Sequence, residues 1–338
     1  MHALIRYSLW VRKHFEESVD SEALLKAGFE QMPEVREVLD YHLVPSNDPA
    51  LSIRAVYGQW FPWLSLLDYE WASKNVSKIF PGDEESADFW YAAWQTYVVF
   101  CSPYDSVFDL LRGEYLRAVD RIGIAPRREM RPRDADSRLV EHLYTLFWRG
   151  KLDLDEPDGL LERFFNRASA DLRGHGVGFI GRSLSNTKEP VPDRILQRLV
   201  AFIESRIAQL IETSSTQSNK KELVEFGWWY VSDKFDEMWA ITTLKQVLGL
   251  AGWAEPEHEV AERLAIAAES MTLDAVQCID MMIKGAREPW QLYSLNTSAR
   301  AILEKAVKSN DAETQRLSKD AIDRLLARGH FEFLDLLG

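Results

Sequence analysis

The chain has 338 residues, of which 46% are hydrophobic and 28% are charged, and this composition indicates a folded protein rather than a disordered one. Its 53 acidic residues outnumber 40 basic ones, and the net charge of −13 disfavours binding to nucleic acid and to anionic membranes. The two cysteines, Cys101 and Cys278, are too few for a disulfide framework or a metal cluster, so we expect both to be reduced and buried.

Apolar residues recur at three- and four-residue spacing along the whole chain, which predicts amphipathic helices. The predicted helices span residues 3–18, 21–28, 33–43, 49–60, 62–79, 84–101, 103–122, 136–149, 157–173, 176–185, 191–214, 219–232, 236–250, 257–269, 272–284, 290–308, 311–328 and 330–336. No alternating run of β-branched residues predicts a strand. The sequence therefore predicts an all-α fold.

Three residues carry predictions about helix ends. Pro62 is expected to begin a helix or to kink one, because proline lacks the N–H that a helix interior uses. Gly252 and Gly329 follow periodic runs, where a left-handed terminating residue is favoured.

The segment from Asp88 to Val119 indicates how the helices are arranged. Trp90, Trp94 and Tyr97 follow one face of a helix, and Tyr115 lies on the next helix after a short turn. Such pairs of about 40 residues cannot bury their apolar faces alone and must stack on neighbours. We therefore expect an irregular α-solenoid of stacked antiparallel helix pairs, similar to HEAT or TPR arrays.

Two loops interrupt the predicted packing, at residues 123–135 and 213–221. The second loop, TSSTQSNKK, is polar and of low complexity, as domain linkers often are. It predicts a boundary between an N-terminal helical array, 1–212, and a C-terminal one, 222–338. A single continuous superhelical domain is the alternative.

Motifs that would indicate an enzyme or a cofactor are weak. Residues Gly176 to Gly181 spell GxGxxG, but this motif binds dinucleotides only between a strand and a helix, and the preceding residues are helical. Close helix packing explains these glycines better. His258-Glu259 lacks a second histidine four residues later, so no metal site is expected. We predict no catalytic activity and no cofactor.

Acidic residues cluster at Glu255, Glu257 and Glu259, and again near Asp153. Such clusters resemble acid–base pairs or cation sites. They also fall at predicted helix starts, where carboxylates stabilise the free backbone N–H groups, and this explanation is simpler.

The densest basic run consists of Arg127, Arg128, Arg131 and Arg133. Four guanidinium groups can bind carboxylates or phosphates in a bidentate manner, so this loop is a candidate partner-binding site, for an acidic protein as much as for nucleic acid. A solvated loop that offsets the acidic helices is the simpler alternative.

Phe226, Trp228 and Trp229 form the densest aromatic group. Their consecutive helical angles turn some of them away from any single buried face, and outward aromatics often anchor interfaces, which makes Trp228 and Trp229 candidate partner contacts. A central helix that is buried on two sides would also accommodate them.

Several stretches together resemble the helical C-terminal region of large bacterial STAND-type NTPases. They are the segments 226–252 and 329–337 and the pattern Trp94, Tyr97, Phe100, Pro103, Asp105, Phe108, Leu111, Tyr115 and Ala118. The resemblance covers roughly residues 85 to the end. In that family an effector and an NTPase precede a helical-repeat sensor, which binds a foreign protein, commonly of a bacteriophage.

The resemblance implies a sensor segment, a split subunit or a truncated product, because this chain carries no NTPase or effector. Its implied partner is a phage protein, or an NTPase or effector domain on another chain, and no individual site residue can be carried over. The leading expectation is a protein-recognition scaffold in antiphage defence, and the alternative is a generic scaffold or regulatory subunit. No signal peptide and no long apolar run is found, so we expect a cytoplasmic protein without a membrane partner.

Overall fold

The structure is a computed structural model that describes residues 1–124, 135–156, 159–212 and 220–337. These ranges contain helices and no strand, which confirms the predicted all-α class. The chain divides into two compact units, Met1–Ala168 and Ser169–Gly338. The boundary predicted at 213–221 lies within the range of the second unit, and because residues 213–219 are outside the described ranges it stays a prediction.

The helices of the first unit, including one 3₁₀ helix (η1), are α1 His2–Glu16, α2 Ser21–Ala27, η1 Gly28–Gln31, α3 Pro33–Leu43, α4 Leu51–Leu67, α5 Tyr69–Ile79, α6 Ala87–Phe100, α7 Asp105–Asp120, α8 Ala135–Trp148 and α9 Leu160–Arg167. Those of the second unit are α10 Ala170–Asn186, α11 Asp193–Glu212, η2 Lys221–Phe226, α12 Gly227–Val231, α13 Glu237–Ala251, α14 Glu257–Ala267, α15 Thr272–Gly285, α16 Pro289–Val307, α17 Ala312–Ala327 and η3 Phe331–Leu337.

The close crossing of α4 and α6 organises the core of the first unit. A Cβ atom on Gly58 would lie 1.8 Å from the carbonyl oxygen of Ala93, so only glycine allows this approach. Beside it, the Thr96 hydroxyl lies 2.8 Å from the carbonyl oxygen of Ala55 on the facing helix. The two backbones therefore touch, with polar as well as apolar contacts.

Pro62 lies inside α4, so the predicted division into helices 49–60 and 62–79 is wrong, and the alternative that Pro62 kinks a helix stays a prediction. Proline removes the N–H that would bond the carbonyl oxygen of Gly58. The Cys101 thiol at the end of α6 lies 3.9 Å from that oxygen and 3.1 Å from the carbonyl oxygen of Gln59. The thiol, which follows α6, therefore donates mainly to the Gln59 carbonyl and lies beside the carbonyl that proline leaves free, and α4 continues to Leu67.

Four aromatic residues of the predicted helix pair at 88–119 are buried, as expected. Trp90, Trp94, Tyr97 and Tyr115 are each at most 4% exposed. The hydroxyls of Tyr97 and Tyr115 lie 3.1 Å apart, and the Tyr115 hydroxyl lies 2.7 Å from Nδ1 of His142 on α8. The other ring nitrogen, Nε2, lies 2.8 Å from the carbonyl oxygen of Cys101. A polar chain therefore crosses this apolar core.

Two helices predicted at 157–173 and 176–185 are divided at a different place. The break falls at Ala168, and α10 runs without interruption from Ala170 to Asn186. The Ser169 hydroxyl oxygen accepts the backbone N–H of Leu172 at 3.2 Å, so Ser169 caps the longer helix.

Neighbouring helices pack in a regular order through the second half of the second unit. Contacts join α13 to α15, α14 to α16 and α15 to α17, and consecutive helices α14 through α17 also touch. Gly252 and Gly329 have φ values of 78° and 89°, which confirms their predicted left-handed conformation after helices α13 and α17.

Candidate functional site

The four arginines predicted to bind a partner, Arg127, Arg128, Arg131 and Arg133, lie outside the described residues. Their role stays a prediction.

The aromatic group at Phe226 is mostly core. Phe226 and Trp229 are fully buried, and the indole N–H of Trp229 donates to the carbonyl oxygen of Val177 at 2.8 Å. This burial removes Trp229 from the surface that a partner can touch, which corrects its prediction as a partner contact. Trp228 is partly exposed and lies under the Arg182 guanidinium, 5.8 Å from the ring centre, so it remains accessible at one edge.

The GxGxxG string lies in the interior of α10, which confirms the interpretation as close packing. A Cβ atom on Gly181 would lie 2.4 Å from Cβ of Trp228, and one on Gly178 would lie 2.3 Å from a carboxylate oxygen of Glu225. The glycines admit the segment formed by η2 and α12. No strand precedes them, so the backbone geometry that holds a pyrophosphate is missing from this helix.

Four strongly exposed apolar side chains in the described part of the second unit lie on α16 and η3. Trp290 and Tyr293 stand on the first turns of α16, and are 59% and 68% exposed. Phe331 and Leu334 on η3 are 71% and 59% exposed. The Tyr293 ring lies 5.0 Å from that of His330, the residue before η3, so the two elements meet here. We call these four residues the carboxyl-terminal apolar surface.

The 3₁₀ geometry of η3 explains why its apolar residues face solvent. With three residues per turn, Phe331 and Leu334 lie above one another on one side, and Leu337 continues the same line. Phe333 points the other way and is fully buried, which holds the element to the unit. A single buried anchor therefore leaves a row of apolar side chains outside.

Polar contacts fix η3 against α16. The side-chain amide of Asn296 donates to a Glu332 carboxylate oxygen at 2.8 Å, and Arg300 bonds both the Glu332 carbonyl oxygen and the Asp335 carboxylate. The Arg300 hydrogen bond lowers the pKa of Asp335, and the pKa of Arg300 is raised by the same bond. The apolar side chains are thus presented on a preorganised support, which reduces the entropy cost of binding.

Sequence patterns gave only part of this surface. The η3 segment was expected as a short helix, and its repeat of Phe331, Leu334 and Leu337 at three-residue spacing is the signal that would have indicated an exposed 3₁₀ stripe. The pairing with Trp290 and Tyr293 depends on the packing of α16, α17 and η3, which no local pattern shows.

Across the described ranges, no helix is long and apolar enough to cross a membrane. Within the same ranges, no group of three or more histidine, cysteine, aspartate or glutamate residues is placed to hold a metal ion. No family model matches the chain, and neither a curated protein nor a solved structure matches it.

Proposed function

We propose that this chain is a protein-recognition scaffold and, within that class, the cytoplasmic sensor segment of a bacterial antiphage protein of the STAND type, which binds a phage protein. The observation that carries the recognition role is the carboxyl-terminal apolar surface. Its four side chains are 59% to 71% exposed, and two of them are the aromatic types, Trp and Tyr, that most often dominate binding energy.

The helix packing supports a scaffold of the repeat kind. Each of α13, α14 and α15 contacts the helix two places further along, as stacked helix pairs do, and we propose an irregular α-solenoid on this basis. Such arrays recognise partners with surface residues rather than with a deep catalytic site. An NTPase or effector would then lie on another domain or chain.

The test is a comparison of variants in a capture experiment. The tagged chain is incubated with lysates from cells infected by diverse phages, beside the double variant Trp290→Ala/Phe331→Ala. We expect one dominant phage protein to bind the unaltered chain and to be reduced at least about tenfold by the double variant, since such aromatics carry most of an interface's energy.

Trp10→Ala is the matched control, because Trp10 on α1 is 59% exposed, the same as Trp290, but does not belong to the carboxyl-terminal apolar surface. An equal reduction of the captured phage protein by Trp10→Ala would contradict the assignment of the binding role to the carboxyl-terminal apolar surface. Empty captures across all phages would contradict the sensor role. Capture of a host protein from uninfected lysate, sensitive to the same double variant, would instead favour a generic scaffold or regulatory subunit.

A further inference from the structure

A cleft of about 800 Å³ lies wholly within the second unit. Its walls come from the first turns of α10, from η2, from the loop after α13, and from the end of α15 with the residues that follow it. This volume is within the range of small-molecule sites, and several separate segments converge on it. None of its residues belongs to the carboxyl-terminal apolar surface.

Two carboxylates lie side by side in one wall. The backbone N–H of Glu255 donates to the carbonyl oxygen of Val224 at 2.9 Å, which places Glu255 next to Glu225 although the two residues lie on separate elements. Burial raises the pKa of Glu225, and the charge of Glu255 raises it further, while Arg182 at 3.3 Å and His175 oppose the shift. Burial also raises the pKa of Glu255. A bound cation would relieve this repulsion.

Basic side chains line the cleft from several segments: Arg182 on α10, Lys221 on η2, and Lys284 and Arg287 at the end of α15. Lys284 and Arg287 both line it, and Lys284 is held by Asp280 with its Nζ 2.5 Å from the carboxylate. The Arg287 backbone N–H donates to Oε1 of Gln291 at 2.7 Å, which fixes the base of this side chain. Its exposed guanidinium makes no ion pair with the described residues, so its donors remain available for a carboxylate.

We infer that this cleft binds a small zwitterion of the α-amino acid or dipeptide class, with the ammonium group at Glu225 and Glu255 and the carboxylate at Arg287. A polyanion such as a nucleotide would bring its charge against three carboxylates, those of Asp171, Glu225 and Glu255. A polyamine would place ammonium groups against Lys284 and Arg287. A ligand with one charge of each sign matches both parts of the lining.

The apolar parts of the lining fit the rest of such a ligand. Val224, Trp253 and Ala286 lie among the charged residues. They offer contact to a short aliphatic chain while the charged ends fix its orientation, as in small-molecule sites generally. The inference is independent of the proposed function, because it uses other residues and another kind of ligand.

In the experiment, the full chain is titrated with a panel of free α-amino acids and dipeptides, each up to about 10 mM, and binding is measured by calorimetry and by the shift in melting temperature. For the best ligand, the N-acetyl derivative and the C-terminal amide are then measured. We expect each modification to weaken binding at least about tenfold, because each removes one charged contact. Absence of binding by every member of the panel would overturn the inference, as would equal affinity for the free and acetylated forms.

Charge-neutralising variants assign the two ends. In Glu255→Gln, the ratio between the dissociation constants of the acetyl derivative and the free ligand should fall about tenfold. In Arg287→Met, the ratio between the dissociation constants of the amide and the free ligand should fall about tenfold. Arg287 is exposed and Glu255 keeps part of its surface in solvent, so we expect both variants to fold, and their thermal transitions check this. Glu262→Gln is the control, since Glu262 is a similar exposed glutamate on α14 outside the cleft. If all three variants changed these affinity ratios equally, the assignment of Glu255 to the ammonium group and of Arg287 to the carboxylate would be contradicted.

Discussion

His142 is held neutral inside the first unit, and its hydrogen bonds define where each proton lies. A carbonyl oxygen can only accept, so Nε2 carries the proton that it donates to Cys101. Nδ1 must then accept from the Tyr115 hydroxyl, which in turn accepts from Tyr97. Burial lowers the pKa of His142 from 6.5 to about 4. The chain of donors is complete only while the imidazole is uncharged.

This neutral histidine predicts a pH dependence of stability. Between pH 6.5 and about pH 4 the unfolded chain binds a proton at His142 that the folded chain does not, so the free energy of unfolding falls as the pH falls. The loss amounts to about 3 kcal/mol once the pH is below both values. Urea unfolding of the unaltered chain and of His142→Phe across this range measures it.

His142→Phe is the reference, because the carboxylates contribute equally to the pH dependence of unfolding in both proteins. At pH 7 His142→Phe should be less stable, because it leaves the buried Tyr115 hydroxyl and Cys101 carbonyl without their partner. The difference between the two proteins should then narrow as the pH falls towards 4. A difference that stays constant from pH 7 to pH 4 would show that His142 titrates normally.

A second buried residue, Glu222 on η2, lies between two arginines. Its side chain is 1% exposed, its Oε1 lies 2.7 Å from Nη2 of Arg206, and its Oε2 bonds Nε of Arg173. Three charges are therefore removed from water together. Such groups stabilise a fold little in total, but removing one member takes a charge partner from each of the others.

We expect Glu222→Gln to lower the free energy of unfolding by about 3–5 kcal/mol, because two largely buried guanidinium groups lose the carboxylate that both contact. Asp320→Asn is the control, as Asp320 forms an exposed pair with Arg316 on α17 at 3.1 Å, and it should change stability by less than about 0.5 kcal/mol. Chemical denaturation measures both. A similarly small change in the free energy of unfolding in both variants would show that water screens the charges around Glu222.

At the scale of the element, the crossing of α4 and α6 depends on one missing side chain. Gly58→Ala would place Cβ against the Ala93 carbonyl, and because this contact is with backbone, no rotamer change can relieve it. We expect a loss of at least about 2 kcal/mol despite the better helix propensity of alanine. Thermal or urea unfolding gives the value.

Gly113→Ala is the matched control within a helix. Gly113 lies in α7, and a Cβ atom there would meet nothing within 4 Å. The same substitution should therefore stabilise the protein by about 0.5–1 kcal/mol, through helix propensity alone. We expect the free energy of unfolding to fall in Gly58→Ala and to rise in Gly113→Ala. A change in the same direction in both variants would contradict the close approach of α4 and α6.

The extents of the helices could be predicted from sequence because the signal is local. Apolar spacing gave helices such as 33–43 and 272–284 to within a residue of α3 and α15. The division at Pro62 was predicted wrongly because the thiol beside the free carbonyl, that of Cys101, lies outside α4 and far along the sequence. The cleft was missed for the same reason, as Glu255 looked like a helix-start carboxylate until the bond to Val224 set it beside Glu225.

At the scale of the whole molecule, the two compact units are each of domain size. Met1–Ala168 and Ser169–Gly338 have separate cores, with Tyr97 fully buried in the first and Trp229 in the second. Chains of this length normally bury enough surface to fold alone. The carboxyl-terminal apolar surface and the cleft both belong to the second unit.

We therefore expect fragments 1–168 and 169–338 to fold separately. Each should show a helical circular dichroism spectrum and a cooperative thermal transition. The core helices of each should be protected from amide hydrogen exchange. The second fragment should also retain the ligand binding of the full chain. A fragment 169–338 that is helical but melts without cooperativity would contradict the division into units.

The position of the Cys101 thiol beside Pro62 has a consequence for the order of events on the ribosome. With Gly58 and Pro62 in its interior, α4 is a poor helix by itself. The thiol beside its interruption belongs to Cys101, which emerges from the exit tunnel 39 residues later than Pro62. The nascent α4 is therefore expected to remain frayed until α6 has emerged and docked, so these two helices acquire their final form as one unit.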